Sequence, residues 1–557
     1  MKKLILYLIL VTSICAWSQD SDKSTITSQP SQETQNETED LLKPQICFAP
    51  DSDERYVQEI TSRYSLGANP LFQTGATNSR FQLQSRWSAT ATDGPGLIQG
   101  DPTVLTWSYL ADGTNISGFA GEPASPSNLQ AWLNGLYGNF NTWHALFVEV
   151  FDRWSEKTGI TYVYEPNDDA ATFPNFGGVL GVRGDIRIGA HFIDGNSNIL
   201  AYNFFPNFGD MVLDSADNFY NDLSGNSLKF RNVVAHEHGH GMGLSHTCPV
   251  NQTKLMEPFA STAFDGPQFD DVLGAQRHYG DSWEHNDTAP TATNLGAFAP
   301  GTTASLDCLS VDDNSDANYY QLNVGANALL TVTVGPPAVA PYLEGPQNPN
   351  GTCSAGVLFD PTNIHDLGFD IIDTDGITTL ITVNANPAGG SETTVDFPLP
   401  AAGNYYIRVF GDATNNIQAY EMDLAVDEEP PPVECQDGKS CGEWNLPNGG
   451  VNGFAYGILH DLRLNCIYKL KATLVETIPG QGTVTGVLWD DTLPDPDFDI
   501  VGKYSERDDC INGTWKADIY LAGTNLKVGG ISGKFCDQAA TDQVGMYSAT
   551  WEICLEP

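Results

Sequence analysis

Positive charge is scarce in this chain. Over 557 residues it carries Lys+Arg 26 against Asp+Glu 70, a formal net charge of -44. Such a surface repels phosphate backbones and anionic headgroups, which argues against nucleic acid or a membrane surface as partner. It suits a soluble chain, either loaded with calcium or simply kept in solution by its charge. Long apolar runs are missing after the first residues, so no later segment reads as a membrane span. The spacing Cys-x-x-Cys is absent although there are 11 cysteines, which disfavours thiolate metal sites. Charged residues make up only 17% of the chain, too few for global disorder, and the length accommodates three or four domains with ordinary cores.

Met1, Lys2 and Lys3 precede an apolar run from Leu4 to Val11, and Ala16-Trp17-Ser18 supplies small residues for cleavage. Residues 1–18 are therefore predicted to be a secretory signal peptide, and the mature protein is expected outside the cell. The bulky Ile14 before Cys15 disfavours a lipid anchor. Residues 19–45 are rich in Ser, Thr, Gln, Glu and Asp and bury too little to fold alone, while 46–79 show only weak helical periodicity around Val57 to Tyr64. Together 19–79 read as a flexible leader and propeptide. From Phe81 the texture changes. Phe81–Trp87 and Val104–Tyr109 alternate like strands. Trp143, Leu146, Phe147, Val150, Phe151 and Trp154 keep a spacing of three and four, which predicts a helix over about 141–157 with one broad apolar stripe. Short strands are expected at Ile160–Tyr164, Asp185–Ile188 and Ile199–Phe204, then a second helix over about 227–241.

That second helix carries the chemistry. In Val234–His246, reading V-A-H-E-H-G-H-G-M-G-L-S-H, His236 and His240 lie four apart and share one helix face, with Glu237 beside them. Gly241 and Gly243 release the helix, so His246 can return as a third nitrogen ligand to zinc and leave the fourth tetrahedral position to water. His238 points off this face and reads as a surface residue or a support behind the ligands. Leu255-Met256-Glu257-Pro258 follows. The complete pattern H-E-x-x-H-x-x-G-x-x-H followed by Met is far rarer than H-E-x-x-H alone, and it resembles the metzincin peptidases.

Flanking residues sharpen the resemblance to the matrixin family. Trp154-Ser155, Gly184 to Gly189, Leu200-Ala201, Gly209-Asp210 with Asp214, Thr247, Met256-x-Pro258, Asp270-Asp271 and Tyr279-Gly280 all fall in matrixin order. The resemblance implies an α+β catalytic domain over 80–280, with a mixed twisted sheet and a zinc helix. It implies zinc held by His236, His240 and His246, Glu237 as general base, and Met256 packed beneath the ligands. Pro258 and Phe259 would wall the specificity pocket, where Ala260 replaces the usual tyrosine. Ile199, Leu200, Ala201, Tyr202 and Asn203 would form an open edge strand that pairs with substrate. Asp214 and Asp217 would bind a structural calcium, or else form a solvated acidic turn. The family's second, structural zinc is not expected, because its histidine positions read Tyr202 and Val212 and its H-x-D pair is stretched to His191-x-x-Asp194. His191 is read as an ordinary polar residue.

The rest reads as all-β, giving a multidomain chain with two sandwich-like units after the catalytic one. Residues 281–427, with Asp281 to Thr288, Asp316 to Tyr320 and Gly403 to Val409, resemble the bacterial pre-peptidase C-terminal domain. Asp281, Glu284 and Asp316 there either hold calcium or shape turns. Residues 428–432 form an acidic proline linker, and 433–557 a Cys-rich unit whose residues suggest no particular family. Its six cysteines, Cys435, Cys441, Cys466, Cys510, Cys536 and Cys554, read as three disulfides of unknown pairing. Cys308 with Cys353 would make a fourth, which leaves Cys47 and Cys248. Cys47-Phe48-Ala49-Pro50-Asp51 keeps half of the matrixin latency motif. Three mechanisms follow: a Cys47–Cys248 disulfide, which the arithmetic favours; a Cys47 thiolate on zinc; or capping of the metal by Asp51 or Asp53. The whole is expected to be a monomeric secreted zinc endopeptidase acting on extracellular proteins or peptides. The rival is a binding or adhesive protein in which the zinc domain is a relic, and it predicts an altered base or ligand.

Overall fold

The computed structural model describes residues 43–65, 81–428 and, in the last unit, 434–445, 453–461, 467–478, 481–490, 496–506, 512–537 and 544–555. The predicted signal peptide, nearly all of 19–45 and most of the linker lie outside the described residues. Two compact units divide after Glu428.

The first part of the larger unit runs β1 (Gln45–Phe48), α1 (Glu54–Tyr64), β2 (Thr103–Tyr109), α2 (Leu129–Tyr137), α3 (Phe140–Ser155), β3 (Ile160–Tyr164), β4 (Ile186–His191), β5 (Ile199–Asn203), β6 (Met211–Asp214), α4 (Ser224–Gly241), β7 (Thr247–Cys248) and α5 (Phe269–Tyr279). The six apolar residues of the α3 stripe are all buried, and Asn139 caps the helix by accepting from Thr142 N. Their neighbours are the inner face of a six-stranded sheet of order β1-β5-β6-β4-β2-β3. Strands β3, β2, β4 and β6 run parallel to their neighbours, while β5 runs antiparallel to β6. The sixth strand comes from the N-terminal segment. β1 pairs antiparallel with β5, Cys47 opposite Ala201, and Ile46, Cys47 and Phe48 are wholly buried there.

This corrects the expectation of an open edge at Ile199–Asn203, because the chain's own N-terminal segment occupies that edge. Phe81–Trp87 is not a strand either. Its one backbone bridge, from Leu83 to Leu244, goes to the turn after α4 and not to the sheet. Phe81 packs instead with Leu273 and Phe359, and Trp87 sends its indole N–H to the Gly241 carbonyl at 2.8 Å. Helix α2, with Leu129 and Leu133 buried, was not foreseen.

Helix α4 is nearly all interior. Gly225, Asn226 and Ser227 have positive φ, so the right-handed helix starts at Leu228, and every residue from Phe230 to Gly241 is buried. A helix buried on all faces has no polar side, which is why its sequence lacks amphipathic alternation.

Beyond α5, most strands of this unit form a five-stranded and a four-stranded sheet around one core that includes Leu309, Tyr320, Val332, Ile407 and Met422. Strand Tyr342–Pro346 leaves this sandwich and pairs with β7 of the first part. The second unit is all-β and closes into a barrel of eight antiparallel strands, with the first, Glu434–Asn445, hydrogen-bonded to the last, Val544–Leu555. The side chains of its six cysteines lie outside the described set. Among the described residues no helix is long and apolar enough to cross a membrane.

Candidate active site

Helix α4 and the turn after it bring three imidazoles to one point. The Nε2 atoms of His236, His240 and His246 are separated by 3.1 Å (236–240), 3.2 Å (240–246) and 3.3 Å (236–246). Each Nδ1 faces an oxygen acceptor: Leu255 O at 2.7 Å from His236, Leu244 O at 2.6 Å from His240, and Gln347 Oε1 at 2.8 Å from His246. An oxygen that only accepts fixes the proton on Nδ1, so all three Nε2 lone pairs point inward. Burial holds the three rings neutral, with His236 pushed down to about 4 and His246 to about 3, the latter helped by the neighbouring His236. Three converging lone pairs with no proton between them repel unless a cation sits there. Tetrahedral zinc with Zn–N of about 2.0–2.1 Å sets its nitrogens roughly 3.3 Å apart, so the donor set fits that ion in both chemistry and spacing.

The turn that returns His246 depends on Gly243, whose φ of 98° a side chain would resist; a Cβ there would also lie 2.4 Å from Ser85 O. Met256 packs beneath the helix at Gly239, where a Cβ would stand only 2.3 Å from its Sδ. Asp271 anchors this Met segment by accepting from Leu255 N at 2.8 Å and Met256 N at 3.0 Å. Glu257 organises the loop before it, accepting from the backbone of Asn251, Gln252, Thr253 and Lys254. Sequence reasoning saw neither carboxylate as a support.

Glu237 is fully buried, and neither carboxylate oxygen has a hydrogen-bond partner among the described atoms. Burial raises its pKa well above the usual carboxylate range, with the Cys47 amide opposing the shift. His238, expected at the surface or behind the ligands, is buried against Phe151 and Tyr162, and its Nε2 lies 2.5 Å from the Tyr162 hydroxyl.

Residues 139–280 match the family model for matrixin. The chain carries a matrixin domain. Members of that family are zinc metalloendopeptidases, and a zinc is what the three histidines of this matrixin domain fit. Interstitial collagenase of Oryctolagus cuniculus is 34% identical over 140 residues, 24% of this chain and 27% of that protein. Stromelysin-1 of Rattus norvegicus is 30% identical over 158 residues, 27% of this chain and 31% of that one. A putative matrix metalloproteinase of Trichoplusia ni ascovirus 2c is 29% identical over 153 residues, 25% and 28% of the two chains. The match thus spans under a third of the length of these relatives. Residues 316–411 match the bacterial pre-peptidase C-terminal domain.

The N-terminal segment reaches the histidine site. Besides pairing with β5, Phe48 donates its N–H to Pro258 O at 3.0 Å and accepts from Ala260 N at 2.9 Å, running parallel to Phe259. Cys47 Sγ, a nitrogen of His236 and a carboxylate oxygen of Glu237 lie within 4.8 Å of one another. The Cys47 thiol is free, and burial followed by the Glu237 charge raises its pKa. Among the described residues a disulfide joins Cys248 to Cys353 instead, and Cys308 is free. This corrects both expected pairings, Cys47–Cys248 and Cys308–Cys353: β7 and strand Tyr342–Pro346 set Cys248 beside the turn that carries Cys353, while β1 points Cys47 at the histidines. Asp53 is exposed and caps α1 by accepting from Arg55 N, and Asp51 is exposed; neither belongs to the cluster at the histidines.

Asp214 is buried and spends its oxygens on backbone N–H groups of Asp194, Gly195 and Ala216, whereas Asp217 keeps one buried oxygen unpartnered. Asp194 joins them with a second unpartnered oxygen, and burial together with these two neighbours raises its pKa to about 6. His191 bonds Ser125 Oγ at 2.8 Å and lies 3.3 Å from Glu122, which also accepts from the Tyr202 hydroxyl. A carboxylate and a phenol thus surround the lone imidazole. In the sandwich part, Asp281 and Asp312 are buried and Glu284 and Asp316 half-buried; burial raises the pKa of all four, and repulsion from neighbouring carboxylates adds to the rise at Glu284, Asp312 and Asp316.

Proposed function

We propose that this protein is a secreted zinc endopeptidase made as a latent precursor, hydrolysing extracellular proteins or peptides with Glu237 as general base. The observation that carries the reading is the convergence of three neutral Nε2 acceptors beside an unpartnered buried carboxylate. His236, His240 and His246 would hold a zinc ion, whose chemistry when bound would be to lower the pKa of a water toward about 7 and to act as a Lewis acid on the scissile carbonyl. The backbone and Gln347 acceptors lock the imidazoles in the ligating tautomer and orientation. Glu237, adjacent in sequence to the ligand His236 and with both oxygens free of other partners, takes the proton from water and delivers it to the departing amine. After leader removal a substrate strand takes the ladder that β1 holds, antiparallel to β5 and parallel to the Pro258–Ala260 wall. Two groups of carboxylates, Asp194 with Asp214 and Asp217, and the Asp281 cluster, are the candidates for structural calcium.

Digestion of casein or gelatin by the leader-free protein, with and without a chelator and alongside Glu237→Ala, tests the function. Chelator-sensitive cleavage that disappears in the variant supports it. Undiminished cleavage by Glu237→Ala at one equivalent of zinc refutes the mechanism.

A further inference from the structure

The third histidine is held from outside the matrixin domain. Its Nδ1 partner, Gln347, lies 101 residues downstream, in a strand and turn that belong to the β-sandwich half of the unit. Nothing about that contact is incidental to the fold. Thr247 and Cys248, the residues just after His246, pair antiparallel with Pro346 and Gly345, the residues just before Gln347, so the register sets His246 and Gln347 side by side. The Gln347 amide is itself fixed, with Nε2 donating to Gly351 O at 3.2 Å, which turns Oε1 toward the imidazole. A bridge from Gln347 to Cys353 and the Cys248–Cys353 disulfide close this frame. Tyr342 OH to Asp270 at 2.7 Å and Gln82 Nε2 to Glu344 at 2.8 Å pin the same strand to the matrixin side. Gln347 is buried and lines, with Phe259, Ala260 and Gly351, a cavity of about 660 Å³ beside the cleft.

Resting on the zinc reading above, we infer that Gln347 is a positioning residue for His246, so that the sandwich domain supplies one support of the metal centre and is needed for full zinc affinity. His236 and His240 rely on backbone carbonyls of the matrixin domain itself, which no side-chain substitution removes. His246 relies on a side chain. Losing a partner of this kind typically weakens metal binding about 10–100-fold.

The test uses the full chain and zinc alone, measured by competition with a chromogenic chelator, followed by kcat and KM on a short peptide after leader removal. Gln347→Ala is expected to weaken zinc about 10–100-fold and lower kcat more than KM, with the fold intact by circular dichroism. Gln347→Glu, which keeps an acceptor in place, restores zinc affinity to within a few-fold of the parent. A merely structural role for Gln347 would leave zinc affinity unchanged in both variants, and that result overturns the inference. So does failure of the glutamate variant to recover affinity while it folds normally. His246→Ala separates the two layers: unchanged zinc binding there would sink the metal site itself, whereas loss there with parent-like Gln347→Ala sinks only the role of Gln347.

Discussion

Gly239→Ala isolates one contact beneath the three histidines and gives a prediction whose sign is diagnostic. Gly239 lies inside α4, where replacing glycine by alanine ordinarily stabilises a helix by about 1 kcal/mol. Here the added Cβ would come within 2.3 Å of Met256 Sδ and 2.9 Å of its Cε. Met256 is 1% exposed and its backbone is held by Asp271, so the thioether can yield only into packed surroundings. Overpacking of this sort costs about 1–3 kcal/mol, which outweighs the helix gain and leaves a net loss of up to about 2 kcal/mol. In a Met256→Ala background the obstacle is gone, and the same Gly239→Ala change should stabilise by up to about 1 kcal/mol. A double-mutant cycle by urea unfolding of the metal-free protein reads the difference as a coupling of about 1–3 kcal/mol. If Gly239→Ala stabilises both backgrounds equally, the close approach of Met256 to the helix is wrong.

Glu237→Ala should bind one zinc as tightly as the parent and lose about 100- to 10,000-fold in kcat, the usual contribution of a general base; a loss of zinc would reassign the residue to a structural role. Cys47→Ser should raise basal activity of the leader-bearing chain, but less than cleavage of the leader does, because the β1–β5 ladder and the Phe48 contacts persist; equal activity before and after cleavage would remove the leader from latency. His278, pushed down to about 3 by burial and by Arg86 and Arg277, accepts a proton in the unfolded chain near its ordinary value but not in the folded one. Its contribution is therefore present above about pH 6.5 and is lost as pH falls toward 3, by up to about 1.4 kcal/mol per pH unit, and His278→Asn should flatten urea midpoints over that window. Calcium added back after chelation should raise the melting temperature, and Asp217→Asn should remove most of that increment; an unchanged increment would shift the site to the Asp281 cluster.

The sequence was most legible where one short segment sets the geometry. His236 and His240 follow from the helix period and His246 from the glycine turn, and the α3 stripe appears in the structure with all six apolar residues buried. Reading failed where a residue's surroundings come from far along the chain. His238 carries no sign of burial because α4 is enclosed on every face, including by Tyr162. Gln347 sits in no motif, and only the pairing of β7 with strand Tyr342–Pro346 brings it to His246. Cysteine counting could not see that same pairing, so it matched Cys248 with the wrong partner. The alternation in Phe81–Trp87 reflects two separate anchors, at Phe359 and Gly241, rather than a ladder.

The Cys248–Cys353 bond spans 105 residues and crosses from the matrixin domain to the sandwich. A peptide bond cut anywhere between those two positions leaves the fragments covalently joined. Proteolytic processing within 249–352 would turn one polypeptide into a two-chain molecule that migrates on a denaturing gel as one species without reductant and as two with it. The sandwich would then stay beside the three histidines as a tethered subunit, and after reduction only the ladder of β7 with strand Tyr342–Pro346 and the hydrogen bonds around it would hold it there.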